Sequence, residues 1–217
     1  GFTLTSNGSL FVFGNAILNG AIAGGGGSSL TIGENSSLVT QATNATINST
    51  ISGIPTFAVV NGTVTTNGVI TGVDTALSIS AGATAIFKAD ISGAVAATNA
   101  GTITTYATID VNSFTNTGVG VTNFVITNDT IFGQIGATGA IDLGTSNSVV
   151  TSNFIFAVAN NTYTWPIVTG ASVTPSPANI TIPTDTVANR WDITQDATSI
   201  VVQLQKLALD ATNPIIG

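Results

Sequence analysis

The chain contains no cysteine, no histidine and no methionine, and only 6% of its 217 residues are charged. Each absence removes a class of explanation. Without cysteine, no disulfide can staple the fold and no thiol can serve as nucleophile or metal ligand. Without histidine, the usual general base at neutral pH is missing, and with it every Ser-His-Asp or Cys-His arrangement. Soluble domains ordinarily have about a quarter of their residues as Asp, Glu, Lys and Arg, so the remaining catalytic groups are scarce too. Glycosidases need two carboxylates about 5 to 10 Å apart, whereas Glu34, Asp74, Asp90, Asp110, Asp129 and Asp142 are dispersed singly. The composition points away from an enzyme, and no catalytic residue is expected.

The charge balance excludes further classes. Three basic residues, Lys88, Arg190 and Lys206, stand against ten acidic ones, for a net charge of −7. Nucleic-acid binding needs clustered Lys and Arg to displace counterions, so no nucleic-acid partner is expected. No stretch approaches the roughly 20 apolar residues of a spanning helix, so no membrane insertion is expected. Asn128-Asp129-Thr130 and Asp185 are the local candidates for calcium, but neither has the spacing of a calcium loop, and both read as turn formers. No metal and no cofactor is implied. Gly at position 1 and the absence of methionine suggest a processed, exported chain with an extracellular or cell-surface location.

What the chain does have is apolar residues, 43% of the total, set in a background of Thr, Ser, Asn and Gly. Short runs such as Leu10-Phe11-Val12-Phe13, Phe57-Ala58-Val59-Val60 and Ala107-Thr108-Ile109-Asp110-Val111 recur, while helical spacing does not. Turn formers separate them, including Asn7-Gly8, Asn61-Gly62, Asn67-Gly68 and Gly118 to Gly120. Ser28 to Gly33, Thr75 to Gly82 and Ala140 to Gly144 each place two aliphatics on one face and close on glycine. Turns this frequent suit coils of roughly 20 to 25 residues, so the expected fold is an all-β parallel β-solenoid, or β-helix. The alternative is a β-sandwich, Ig-like or jelly-roll, completed by a donated strand. Residues 1–160 form the repetitive β region. Residues 161–217, interrupted by Thr174-Pro175-Ser176-Pro177, are expected to form a C-terminal β cap of the same domain.

That ending carries a resemblance. It reads Asn161-Thr162-Tyr163-Thr164-Trp165-Pro166-Ile167-Val168-Thr169-Gly170, then Asn189-Arg190-Trp191-Asp192, then Ser199-Ile200-Val201-Val202-Gln203-Leu204. The order resembles the C-terminal end of bacterial autotransporter passenger domains: a Tyr-containing strand closing on Gly, a Trp-Asp strand and a final aliphatic strand. Trp165-Pro166 departs from it, standing where that family has plain aliphatics. The resemblance implies a β-helix end and an adhesin-type passenger binding a surface or glycan. Independently of it, a solenoid exposes an apolar cross-section at its ends. Tyr163, Trp165 and Trp191 suit either a cap over that section or an exposed aromatic surface.

Several other residues carry alternatives. Phe2, Leu4, Leu10, Phe11, Val12 and Phe13 form uncharged strands that serve either as a first coil or as a strand passed to a neighbouring subunit. Lys88 and Lys206 are candidates for an isopeptide crosslink if buried beside Asn and an acidic residue, and otherwise extend into solvent. Glycosylation sequons fall at Asn7, Asn35, Asn44, Asn48, Asn61, Asn128, Asn160 and Asn179. Together these features lead to the expectation of a non-enzymatic extracellular structural protein, a self-assembling subunit of a cell-surface filament, sheath or coat. Its expected partners are copies of itself and, secondarily, glycans or other cell-surface components.

Overall fold

Four stretches repeat one plan: 44–51, 63–70, 84–91 and 102–109 each run from Asn or Thr to an Ile seven residues later. The first four residues form a strand whose second and fourth side chains point inward. The next residues turn a corner, and the Ile is the first or, for Ile109, the second residue of a strand on the next face. A period-2 strand followed by a tight corner can bury one face only by winding inward, which produces a coil.

The computed structural model describes residues 44–48, 50–52, 56–72, 76–93, 96–152, 160–175 and 179–208, together with the backbone of short strands between residues 2 and 32. Among these, 26 strands and no helix are found. The first coil comprises β1 (Phe2–Leu4), β2 (Ser9–Val12) and β3 (Ala16–Leu18), and the second β4 (Ile22–Gly24), β5 (Ser29–Ile32) and β6 (Asn44–Ile47). Next come β7 (Ile51–Ser52), β8 (Thr56–Val59) and β9 (Thr63–Thr66), then β10 (Ile70–Thr71), β11 (Ala76–Ile79) and β12 (Thr84–Phe87). The fifth and sixth coils are β13 (Ile91–Ser92), β14 (Ala96–Asn99), β15 (Thr102–Thr105) and β16 (Thr108–Val111), β17 (Ser113–Asn116), β18 (Val121–Ile126). The last two are β19 (Gln134–Ala137), β20 (Ala140–Asp142), β21 (Ser146–Thr151) and β22 (Thr162–Thr169), β23 (Ser172–Thr174), β24 (Ile180–Thr181). Two further strands, β25 (Asn189–Gln195) and β26 (Ser199–Lys206), follow the coils.

Every third strand pairs in parallel, giving three stacked sheets. Sheet A takes β1 and each third strand after it to β22, then β26 and β25. Sheet B runs from β2 to β23, and sheet C from β3 to β24. This is a parallel β-solenoid. It replaces the sandwich alternative, because the long ladders are parallel and close around one lumen. Only β26, against β22 and β25, forms an antiparallel ladder between named strands. Phe2 and Leu4 pair with β4, and Leu10, Phe11 and Val12 pair with β5, in the first coil of the chain. Phe13 lies outside the described residues.

The lumen is built of ladders. Ile51, Ile70, Ile91, Ile109 and Ile135 stack in register, extended by Val168 and Ile200, and all are buried. Phe57, Leu77, Ala97, Phe114, Ile141 and Val173 form the equivalent column of sheet B. Each fully buried Ile, Leu or Phe contributes about 1.5 to 3 kcal/mol relative to exposure, so the columns are the main driving force for winding. Spacing along the first ladder is 18 to 21 residues from Ile51 to Ile109, then 26 to Ile135 and 33 to Val168. In both long coils the extra residues fall between a strand of sheet C and the next strand of sheet A, the segment 127–133 between β18 and β19 and the residues between β21 and β22.

The corner between sheets B and C is polar inside. Asn99 Nδ2 donates to Asn116 Oδ1 at 2.8 Å, and Asn116 Nδ2 donates to Asn147 Oδ1 at 3.0 Å and to the Leu143 carbonyl at 2.8 Å. The Thr122 hydroxyl lies 3.1 to 3.2 Å from both ends of the Asn116 amide. All four side chains are buried and hydrogen-bonded, as buried polar groups must be; the three amides pair from coil to coil, and Thr122 pairs with Asn116 of its own coil. Coils approach so closely here that a Cβ on Gly120 would collide with the Asn99 carbonyl.

Candidate functional site

Two regions concentrate chemistry that the coils otherwise spread out. The first is the C-terminal end. β22 is twice the length of most coil strands, and only Val168 and Thr169 continue the parallel ladder. Its earlier residues pair antiparallel with β26, which in turn pairs with β25. On the inner face Ile200, Val202, Leu204 and Trp191 alternate with outward polar residues. Trp165 and Trp191 stack with centroids 6.0 Å apart and planes 27° apart, and Tyr163 stacks on Trp165 at 6.2 Å and 15°. Trp165 is fully buried, Trp191 is 8% exposed and Tyr163 is half-buried. The Trp165 indole N–H donates to the Asn128 carbonyl at 2.9 Å. Two of the three aromatics are therefore inside the closed end, with no face open to a ligand.

The turn joining β25 to β26 is held by one carboxylate. Asp196 accepts from the Thr198 and Ser199 backbone N–H groups, both at 2.7 Å, and from both hydroxyls. The backbone N–H of Thr198 leads in holding this carboxyl below its ordinary value of 3.8, helped by the two hydroxyls and the Ser199 N–H. The outer face of β25 carries Arg190 and Asp192, both exposed. Charges on an edge strand discourage pairing with another chain.

The second region is the corner between sheets C and A. Because Phe87 pairs with Thr105, the residues that follow them, Lys88 and Tyr106, are neighbours on successive coils. Lys88 is exposed, with its Nζ 5.9 Å from the Tyr106 ring centroid. On the two preceding coils the same column holds Asn67 and then Asn48, joined by an amide hydrogen bond of 2.6 Å. Asp90 Oδ1 accepts from the Thr108 backbone N–H at 2.9 Å. The inserted segment 127–133 arches alongside, tied by Asn128 Oδ1 to the Thr130 and Ile131 N–H groups and closed by an Ile126–Phe132 bridge. Between the corner and this arch lies a groove of about 420 Å³ whose walls include Lys88, Asp90, Tyr106, Thr108, Ile131 and Phe132.

The other candidate residues are placed as follows. Lys88 is in solvent and lacks the burial that amide crosslinking requires, since it is the first corner residue after the inward Phe87. Lys206 is half-buried at the end of β26, with its backbone bonded to Asn160 and Asn161. Asn44, Asn48, Asn160 and Asn179 are exposed, whereas Asn61 and Asn128 are half-buried with their side-chain oxygens engaged by turn N–H groups. Asn7 and Asn35 lie outside the described residues. Among the described residues no three His, Cys, Asp or Glu side chains converge as a metal site would need. The groove, and with it Asp90, Thr108, Thr130, Ile131 and Phe132, was not legible as a unit in the sequence. The signal that locates it is the shared plan of 84–91 and 102–109, which sets Lys88 beside Tyr106 and Asp90 beside Thr108.

Comparison with protein-family models and with curated proteins gives no match.

Proposed function

We propose that this chain is a non-enzymatic structural protein of the cell exterior, a rigid β-solenoid stem of the kind autotransporter passengers use. The observation that supports it best is the C-terminal end. The three segments that carry the passenger resemblance are β22, β25 and β26, and they are adjacent in one sheet, where they close the aliphatic ladder. The charged outer edge of that hairpin, with Arg190 and Asp192 exposed, favours a terminus of sheet A over a stacking face. Thr, Ser and Asn occupy many of the described outward positions, interspersed with aliphatics such as Ile86, Val121 and Val150, and the described carboxylates on the coils are exposed singly. Eight coils at the usual strand spacing span about 38 Å.

A second reading, the self-assembling subunit of a filament, sheath or coat, is favoured by a different observation. β24 ends sheet C with β21 as its one strand partner among the described residues, and Val187 nearby in sequence is 58% exposed. Sedimentation velocity over a hundredfold concentration range, with cryo-electron microscopy of the same samples, separates the two. Single rods at every concentration are expected for a stem, and growing fibres or sheets would replace that reading with self-assembly. Resistance of the chain to protease added outside intact producing cells, with loss only after lysis, would overturn both.

A further inference from the structure

We propose that the groove beside Tyr106 is a binding site for a terminal sugar bearing one carboxylate. The inference rests on the extracellular reading above and adds a ligand class to it. The groove volume, about 420 Å³, falls within the range of about 300 to 1,000 Å³ usual for small-ligand sites.

The chemistry of its walls is mixed in the way a charged sugar requires. Ile131, 52% exposed, and half-buried Phe132 give an apolar strip for the C–H face of a pyranose ring. Hydroxyls of Thr108 and Thr130 and the Tyr106 phenol can exchange hydrogen bonds with sugar hydroxyls. Asp90, on the groove wall, has one oxygen engaged by the Thr108 N–H, and its carboxylate is an acceptor for a sugar hydroxyl. Lys88 supplies the cation, and Tyr106 acts as its positioning residue by holding the ammonium over its ring.

Charge number then selects the ligand. The whole chain has three basic residues, and the other two, Arg190 and Lys206, lie in β25 and β26. A single ammonium on a chain of net charge −7 can accommodate one carboxylate, while a polyanion would meet repulsion from the rest of the surface. The arch that forms the outer wall is fixed in advance by the Asn128 turn bonds and by the Trp165 N–H on the Asn128 carbonyl. Binding there loses little to loop ordering.

The test is isothermal titration of the purified full chain with 3′-sialyllactose, a glucuronate-terminated disaccharide and neutral lactose. At least one acidic probe is expected to bind about tenfold or more tightly than lactose, as a charge-assisted hydrogen bond implies. Which acidic probe wins identifies the source as a sialylated or a uronate glycan. Lys88→Ala and Tyr106→Leu should abolish the preference, Tyr106→Phe should retain it, and Arg190→Ala should leave it unchanged, with each variant checked for wild-type circular dichroism. Equal affinity for lactose, a preference that survives Lys88→Ala, or no binding of either acid by well-formed rods overturns the inference alone. Loss of the extracellular location would remove the reading beneath it.

Discussion

The coils between β6 and β21 and the closing strands β22, β25 and β26 solve the same burial problem differently. In the coils each inward residue is covered by its register neighbour above and below, so the Ile51 to Ile135 column needs only one medium-sized aliphatic per turn. The stability of such a stack is close to a sum of nearest-neighbour contacts. At the end the next neighbour is missing in sheet A, and the chain substitutes an antiparallel hairpin and two stacked indoles for it. The coils thus distribute apolar burial among many interchangeable residues, whereas the end concentrates it in a few that have no substitute.

Trp165→Ala probes that concentration and should have the largest effect. Removing a fully buried indole costs about 3 to 5 kcal/mol, and here it also leaves the Asn128 carbonyl without its donor. Hydrogen exchange should show β22, β25 and β26 losing protection while β9, β12 and β15 keep theirs. Uniform loss along the whole chain would break the comparison, because it would mean that the end and the coils unfold as one unit.

Two substitutions test the coils from opposite directions. Asn116→Ala removes the central amide of the internal ladder and leaves Asn99, Asn147 and the Leu143 carbonyl short of partners, at about 2 to 3 kcal/mol. Denaturant melts should show this loss, and a double-mutant cycle with Asn147→Ala should be non-additive because the two share one network. Thr66→Val has the opposite sign. The Thr66 hydroxyl is buried with no hydrogen-bond partner, so its replacement by a methyl should stabilise by about 1 kcal/mol. A loss of stability there would show that the inward column Ile47, Thr66, Phe87, Thr105 of sheet C is matched more finely than the purely aliphatic ladder of sheet A.

The same contrast explains what could be read in advance. Leu30, Leu77 and Ile141, each at the centre of an aliphatic pair closed by glycine, all occupy one column of sheet B, so the winding plan was legible from short segments. The polar corner was not. Nothing in the sequence marks Asn99, Asn116 and Asn147 out from the other asparagines, and only the close stacking of successive coils turns their amides inward. The column Asn48, Asn67, Lys88, Tyr106 was hidden for another reason. Its steps are 19, 21 and 18 residues, so no fixed period aligns it, and the groove it borders depends on a later insertion at 127–133. At the end the residues were visible as a set, but their burial follows from β26 lying between β22 and β25, an order the sequence order does not suggest.

The smallest expected effect lies in the hairpin turn, where the end depends on one charge. Asp196 has its folded-state carboxyl lowered by hydrogen bonds from Thr198 and Ser199, so the folded state binds its proton less readily than the unfolded chain does. Its contribution is therefore present above the ordinary carboxylate value of 3.8 and is lost as pH falls through the lowered folded value. The group is fully solvent-exposed, so screening keeps the effect slight. Thermal melts of the wild type and Asp196→Asn should differ most near neutral pH and converge in strong acid. The fluorescence of the stacked Trp165 and Trp191, both in the closing strands, should report the difference before any probe of the coils does. If the two proteins melt alike at neutral pH and diverge in acid, the turn does not depend on the ionised carboxylate, and the closing hairpin stands on its aromatic stack alone.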